Sequence, residues 1–290
     1  MRIGICTTDF TARPAEELFR GIAQMGYKSV QFSFASITES GFAAGPALEI
    51  PPEISPETLA AVARASEKHD LPLVAINGTF NMAHSDPEVR REGVRRFELL
   101  ADAAVKLGCP ILSLCTGTRN INSLWRPHPD NGTEAAWADS LDTMRQLCAI
   151  AEARSLTIAV ETEASNVVRT AALARRMLDE AGSPALKMIL DPANLFLPGE
   201  ARAENAAASL DEAFAQFGDD IVLAHGKDIR PGDGIDFCAT GLGMVDFDRM
   251  LRLLDARGYH GDWVLHGIYD ETDMPRALRW AEEALERTGV

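Results

Sequence analysis

Four apolar, strand-like runs in the second half of the chain each end on a side chain that can bind a metal ion or transfer a proton. The runs LTIAVE, LKMILD, IVLAH and DWVLH end on Glu161, Asp191, His225 and His266. Any one of these residues alone could equally be a helix cap or a turn residue. Because neighbouring strands lie about 4.8 Å apart, four short ligands at matching strand ends can converge on one ion. Their shared position therefore predicts a common site.

The rest of the chain predicts the elements that hold this site. Eight apolar runs alternate with helical patterns, and continuous apolar runs are typical of parallel strands buried on both faces. Ser55 and Asp86, each followed by Pro and Glu, mark two of the helix starts. Eight such units predict a single (β/α)₈ TIM barrel over residues 1–290, with an open doubly wound sheet as the alternative. The predicted strands cover 2–6, 29–34, 73–77, 111–115, 156–161, 186–191, 221–225 and 262–266.

Composition and charge exclude several classes of partner. The formal charge of −15 argues against a duplex nucleic-acid surface and against an anionic membrane surface. Five scattered cysteines without a CxxC pair are expected to be reduced thiols. The first residues lack a long apolar segment, and no run has the length of a membrane span. We expect a cytoplasmic protein that acts on a small molecule; a homo-oligomer remains open.

Other polar and aromatic residues follow predicted strands at the same end of the barrel, where chemistry is located in this architecture. Lys227 could bind an oxygen of a substrate. Asn81 and His84 follow the third run, and Arg119 follows the fourth and could pair with an anionic group. Trp125 could cover one face of a sugar, although packing under its own loop is equally compatible with its position. These five residues are candidate substrate contacts, with loop or turn roles as the alternative.

Several motifs resemble those of the xylose isomerase-like barrel superfamily. They are VET at 160–162, LDPANL at 190–195, HGKD at 225–228 and TGLGMVDFDRML at 240–251. The superfamily contains sugar isomerases and epimerases, inosose dehydratases, hydroxypyruvate isomerases and endonuclease IV-type repair enzymes. The resemblance covers most of the chain and is more specific in its second half.

The resemblance implies a metal site with one departure from the family pattern. It implies that Glu161, Asp191 and His225 bind a divalent ion, and that Asn194 lies beside the metal or the substrate. The fourth ligand of the family is a glutamate after the eighth strand, where this chain has His266. Imidazole shifts the preference away from Mg²⁺. We therefore expect Mn²⁺ first, followed by Zn²⁺ or Co²⁺, with Mg²⁺ still possible.

The chemistry that the resemblance implies is proton abstraction beside a carbonyl of a small keto sugar or polyol, through an enediolate. Glu161 is expected to be the first base, and His266 could be the second because the pKa of a free imidazole lies at about 6.5. His266 cannot bind the metal and accept a proton through the same nitrogen. Two-base epimerisation and one-base isomerisation therefore both remain open.

Two further functions remain compatible with the residues. One is a metal-dependent dehydratase of an inosose- or dehydroshikimate-like substrate, and the other is a non-catalytic sugar binder with a degenerate site. A DNA-repair role is disfavoured because Asn194 stands where the repair enzymes of this superfamily have a histidine, and because the chain is acidic.

Overall fold

The computed structural model describes residues 1–290, and it confirms the predicted (β/α)₈ barrel: eight parallel strands close into a ring surrounded by eight helices. The barrel strands are β1 (Ile3–Cys6), β2 (Ser29–Phe32), β3 (Leu73–Asn77), β4 (Ile111–Leu114), β5 (Thr157–Val160), β6 (Leu186–Leu190), β7 (Ile221–Gly226) and β10 (Trp263–Leu265). Two short strands, β8 (Asp228–Ile229) and β9 (Phe237–Cys238), pair with each other outside the barrel. The helices are α1 (Ala15–Met25), α2 (Pro56–His69), α3 (Pro87–Leu107), α4 (Glu134–Glu152), α5 (Ala171–Ala181), α6 (Ala203–Phe217), α7 (Phe247–Ala256) and α8 (Met274–Thr288).

The barrel strands follow one another in chain order, and the last closes the ring onto the first. β10 pairs with β1 through Ile3 and Trp263, so no sheet edge is left open. This closure excludes the open doubly wound sheet. It also brings the carboxyl ends of all eight strands to one mouth, which is the geometry that the candidate site requires.

The predicted helix starts form as their sequences indicate. The Ser55 side chain accepts a hydrogen bond from the backbone N–H of Thr58, and the Asp86 side chain accepts one from that of Glu88. Each cap satisfies a donor that the first helical turn leaves free. At the other end of α1, Gly26 adopts a φ of 104°, a left-handed conformation that favours glycine. These local signals set where the helices turn back toward the barrel.

A small apolar layer fills the barrel interior and separates the mouth from the opposite end. Its six buried side chains come one each from six barrel strands: Cys6, Ala75, Ala159, Ile189, Leu223 and Val264. Cys6 and Ile189 also line the cavity at the mouth, so this layer forms the cavity floor. The main core, with 68 buried residues, is a separate cluster. No helix is long and apolar enough to cross a membrane, and all five cysteines are free and buried.

A buried carboxylate organises the long segment between β7 and α7. The Asp228 side chain accepts hydrogen bonds from the backbone N–H groups of Ile229, Gly241, Gly243 and Val245. A carboxylate with four backbone donors ties several turns of the loop to one point. Lys227, the preceding residue, lines the cavity at the mouth and is thereby attached to a rigid support.

Candidate active site

A cavity of about 420 Å³ opens at the carboxyl ends of the strands. Only six of its 19 lining residues are hydrophobic. The ionisable and aromatic side chains in the lining are Asp9, Glu49, Glu161, Glu163, Lys227, His225, His266, Trp125, Phe237 and Tyr269. A polar cavity with aromatic walls at this end of a TIM barrel is typical of an active site.

Three of the four strand-end residues converge on one point. Ligand atoms of Glu161, Asp191 and His225 all lie within 4.8 Å of one another, and all three residues are buried. The Nδ1 atom of His225 lies 3.2 Å from Glu161 Oε2 and 3.2 Å from Asp191 Oδ2. Glu161 and Asp191 directly follow β5 and β6, and His225 lies near the end of β7. We call these three residues the ligand cluster.

The orientation of the His225 ring is set from the far side of the barrel. Its Nε2 atom lies 2.8 Å from Oε1 of Gln31 on β2, so Nε2–H donates to Gln31 and Nδ1 faces the carboxylates. The Gln31 amide in turn donates to Ser113 Oγ at 3.3 Å. Sequence reasoning missed Gln31, although a polar residue inside the apolar run SVQFSF is a signal that its side chain needs a buried partner.

The two oxygens of Glu161 have different environments. Oε1 accepts a hydrogen bond from the thiol of Cys115 at 3.0 Å. Oε2 is buried and lies 3.2 Å from the Nδ1 atom of His225. Burial raises the pKa of the Glu161 carboxyl, but the hydrogen bond from His225 and the charge of Lys227 outweigh burial and hold that pKa below its ordinary value. Burial raises the pKa of Cys115 well above its ordinary value, so its thiol remains a donor.

Within the ligand cluster, Asp191 is the residue that also contacts the buried ammonium group of Lys227. Its Oδ1 accepts the backbone N–H of Ala193 at 3.1 Å and that of Asn194 at 3.3 Å. Its Oδ2 lies 3.1 Å from Lys227 Nζ, and this ammonium also lies 4.2 Å from the centre of the Phe237 ring. Asp191 therefore supplies one oxygen to the backbone and the other to the cluster.

Burial and neighbouring charges shift the pKa values of Asp191, Lys227 and His225 in opposite directions. Burial raises the pKa of Asp191, but the Lys227 charge and the hydrogen bond from His225 hold that pKa well below its ordinary value. Burial lowers the pKa of Lys227, whereas the carboxylates of Asp191 and Glu161 raise it above its ordinary value. Burial also lowers the pKa of His225, and its hydrogen bonds to Asp191 and Glu161 raise the pKa to about 8.

His266 stands beside the ligand cluster rather than within it. Its Nδ1 atom lies 3.1 Å from Asp9 Oδ1, and Asp9 Oδ2 accepts the backbone N–H of Ile268 at 2.9 Å. The His266 and His225 rings are 5.4 Å apart between centroids. Burial lowers the pKa of His266, but the charge of Asp9 outweighs burial and raises it well above its ordinary value. Sequence reasoning missed Asp9, although it is an acidic residue just after the first strand, at the same mouth.

Two more predicted residues lie at this end of the barrel. Trp125 lines the cavity, and its indole Nε1–H donates to Glu49 at 3.0 Å. Asn194 is buried behind Asp191, and neither its amide oxygen nor its amide nitrogen has a hydrogen-bond partner. Buried amides of this kind normally find a partner.

Three other predicted substrate contacts do not line the cavity. The Asn81 side-chain oxygen accepts the backbone N–H of Thr118 at 2.9 Å. His84 Nδ1 accepts that of Asp86 at 3.1 Å. Arg119 forms a salt bridge with Asp139 at 2.7 Å, which directs the guanidinium away from the mouth. Their partners are in neighbouring loops and in α4, and these contacts use the groups that were expected to meet the substrate.

Comparisons with known proteins place the chain among barrels of this architecture. The family profile described as xylose isomerase-like TIM barrel matches residues 19–287. The chain is similar to the structure of 3-keto-D-glucoside 4-epimerase YcjR from E. coli, with a TM-score of 0.72, 18% identity, and coverage of 98% of this chain and 99% of that one. A sequence comparison with curated proteins finds no match.

Two further solved structures share the fold. D-allulose 3-epimerase from Methylomonas sp., in complex with D-allulose, aligns with a TM-score of 0.71 and 16% identity over 98% of this chain and 97% of that one. The IOLI protein with a bound zinc atom aligns with a TM-score of 0.71 and 15% identity over 99% and 98%. At these identities the likeness demonstrates a common fold and does not by itself assign the residues of the site.

Proposed function

Because the chain belongs to the xylose isomerase-like TIM barrel family, we propose that it is a metal-dependent isomerase or epimerase of a small keto sugar or polyol. The observation that carries this proposal is the convergence of two buried carboxylates on one imidazole: Glu161 Oε2 and Asp191 Oδ2 each lie 3.2 Å from the Nδ1 atom of His225. Carboxylate oxygens and an imidazole nitrogen at this spacing form a donor set for a divalent cation. The named neighbours that act on sugars support the same reaction class.

The ligand cluster fits a divalent cation. Glu161, Asp191 and His225 offer two carboxylate oxygens and one imidazole nitrogen within 4.8 Å of one another. Three protein ligands with open positions for water or substrate are typical of catalytic rather than structural metal sites. A mixed nitrogen and oxygen donor set suits Mn²⁺, Zn²⁺ or Co²⁺ better than Mg²⁺. We propose Mn²⁺ for this chain, and zinc is the ion in the IOLI structure.

A divalent ion held here would supply positive charge that favours ionisation of the carbon acid beside the substrate carbonyl. The chain itself supplies the proton transfers. Glu161 takes the proton from that carbon through Oε1, which the Cys115 thiol orients by a hydrogen bond to one of its lone pairs, and Oε2 remains with the ligand cluster. Lys227 donates to a substrate oxygen from the cavity wall. The resulting enediolate is then protonated at the same carbon or at its neighbour.

His266 is proposed as the second proton-transfer group and not as the fourth ligand. Its Nδ1–H is directed to Asp9, so Nε2 is the nitrogen proposed to exchange a proton with the substrate. Glu161 follows β5 and His266 follows β10, so the two residues lie on either side of Asp191 and His225 around the ring. This arrangement permits epimerisation with one base on each face of the substrate, as well as isomerisation by Glu161 alone.

The direct test measures hydrogen exchange, which every reaction of this class requires. Protein loaded with Mn²⁺ is incubated in D₂O with D-fructose, D-tagatose and D-allulose, and proton NMR follows the C–H groups beside the carbonyl. We expect exchange in at least one ketose, together with about one metal ion per chain by elemental analysis. If no ketose exchanges and no stoichiometric ion is found, the proposal is wrong. Ultraviolet absorbance from a new conjugated carbonyl would instead identify a dehydratase.

A metal-affinity prediction follows from the support of His225. We expect Gln31→Leu to weaken Mn²⁺ binding by about 10- to 100-fold, because the ring loses the acceptor that directs Nδ1 toward the carboxylates. Isothermal titration calorimetry of the metal-free protein measures the effect. Gln146→Leu, at an exposed position on α4, is the matched control. Equal affinities in the two variants would contradict the role given to Gln31.

A further inference from the structure

The cavity wall across from the ligand cluster carries a second set of polar groups, formed by Glu49, Asn77 and Trp125. We propose that Glu49 and Trp125 bind the hydroxyl groups at the non-reacting end of an uncharged sugar, and that this cavity rejects sugar phosphates and sugar acids. The inference rests on the proposed function, because it names the substrate class of the same site.

The geometry makes Glu49 an acceptor with capacity left for a ligand. Its Oε2 atom accepts from Asn77 Nδ2 at 2.9 Å, and its Oε1 atom accepts from Trp125 Nε1 at 3.0 Å. Each carboxylate oxygen has two lone pairs, so one remains on each for a hydroxyl donor. Asn77 ends β3, which in the closed ring is four strands from β7 and two from β5, so this wall is opposite His225 and Lys227 and to one side of Glu161.

The loop that carries Glu49 is attached to its neighbours by backbone hydrogen bonds. The N–H of Glu49 donates to the carbonyl of Thr79 at 3.0 Å. The carbonyl of Ala47 accepts the N–H of Asn81 at 2.8 Å, and that of Pro46 accepts the N–H of Leu124 at 2.7 Å. The acceptor is therefore in place before a ligand arrives, which lowers the ordering cost of binding.

The charge of the lining selects against anions. Four acidic residues line the cavity, Asp9, Glu49, Glu161 and Glu163, and Lys227 is the only lysine or arginine among the lining residues. Burial raises the pKa of Glu49 and of Glu163, so these two side chains disfavour an anion chiefly because they offer it no positive charge. The Lys227 ammonium already lies 3.1 Å from a carboxylate oxygen of the ligand cluster. A phosphate or carboxylate group at the Glu49 end would therefore lose its hydration without a cationic side chain beside it, because Lys227 follows β7 on the other wall.

Trp125 supplies the complementary apolar surface. Its side chain is only half buried, and its N–H is already used by Glu49, so the ring face is free to cover the C–H face of a sugar. An acceptor beside an aromatic face matches a polyol, which presents O–H donors and an apolar C–H surface together. A phosphate end would match neither feature.

The test compares uncharged ketoses with a ketose that carries a phosphate group. Calorimetric titration of the Mn²⁺-loaded protein with D-fructose, D-tagatose or D-allulose is set against titration with D-fructose 6-phosphate. We expect the best uncharged ketose to bind at least 10-fold more tightly than the phosphate. Glu49→Gln should weaken binding of that ketose about 10-fold and reduce the preference over the phosphate. Glu53→Gln, at an exposed carboxylate of the same loop, should change neither.

The inference is overturned if the phosphate binds as tightly as the ketoses, if Glu49→Gln binds them as the wild type does, or if none of the three binds. Failure of the proposed function is a separate result, since it appears as absence of deuterium exchange whatever the affinity. Because Glu49 lies across the cavity from the reacting groups, its replacement should raise KM more than it lowers kcat. A loss confined to kcat would also contradict the inference.

Discussion

Glu161→Gln should lower the rate of ketose C–H exchange by about 10³-fold, the range expected when a general base is removed. The amide retains the size of the carboxylate but cannot accept a proton from carbon. The same substitution weakens one metal ligand, so rates are compared at saturating Mn²⁺ with occupancy confirmed by elemental analysis. NMR in D₂O, with the same substrate and the same Mn²⁺ concentration for both proteins, measures the ratio of the wild-type exchange rate to that of the variant.

A matched carboxylate separates this effect from a general loss of charge. Glu212 is exposed on α6 and does not line the cavity. The Glu212→Gln protein should therefore catalyse exchange at the wild-type rate. A Glu161→Gln protein that binds a full equivalent of Mn²⁺ and still exchanges within a few-fold of wild type would remove Glu161 from the role of base. The proton would then have to be taken by another group at the mouth.

Asp191→Ala should lower the free energy of unfolding by about 3–5 kcal/mol, the cost of breaking a buried ion pair from one side. The substitution leaves the Lys227 ammonium buried without the oxygen that lies 3.1 Å from it. It also removes the side-chain acceptor for the backbone N–H groups of Ala193 and Asn194. Urea unfolding of the metal-free protein measures the loss without a contribution from metal binding.

A double substitution tests the cause of that loss. If the stranded ammonium dominates, Asp191→Ala combined with Lys227→Met should recover a large part of the stability, because no uncompensated charge remains. Asp211→Ala, which removes the exposed partner of Arg249, should cost less than about 1 kcal/mol as a surface ion pair. A double variant as unstable as Asp191→Ala would show that the loss comes from the backbone contacts instead.

Eight apolar runs along the whole chain determined the fold, and the ends of the runs in the second half located three of the candidate site residues. A continuous apolar run followed by a polar residue marks the end of a buried parallel strand, and this pattern located Glu161, Asp191 and His225. Their convergence follows from chain order alone, because successive parallel strands in a barrel are neighbours and all end at one mouth. Lys227, two residues beyond His225, and Trp125, a loop residue with two open interpretations, both line the cavity.

Contacts between distant strands and loops were decided only by the tertiary structure. Gln31 reaches His225 across the barrel, and Asp9 takes the His266 nitrogen that could otherwise have faced an ion. Glu49 sits in a loop whose course no periodicity reveals. Arg119 carries the right charge but is drawn to Asp139. Strand ends recur once in every strand–helix unit and can be recognised from the sequence. The direction of a side chain in a loop depends on contacts with neighbours that are brought together only by folding.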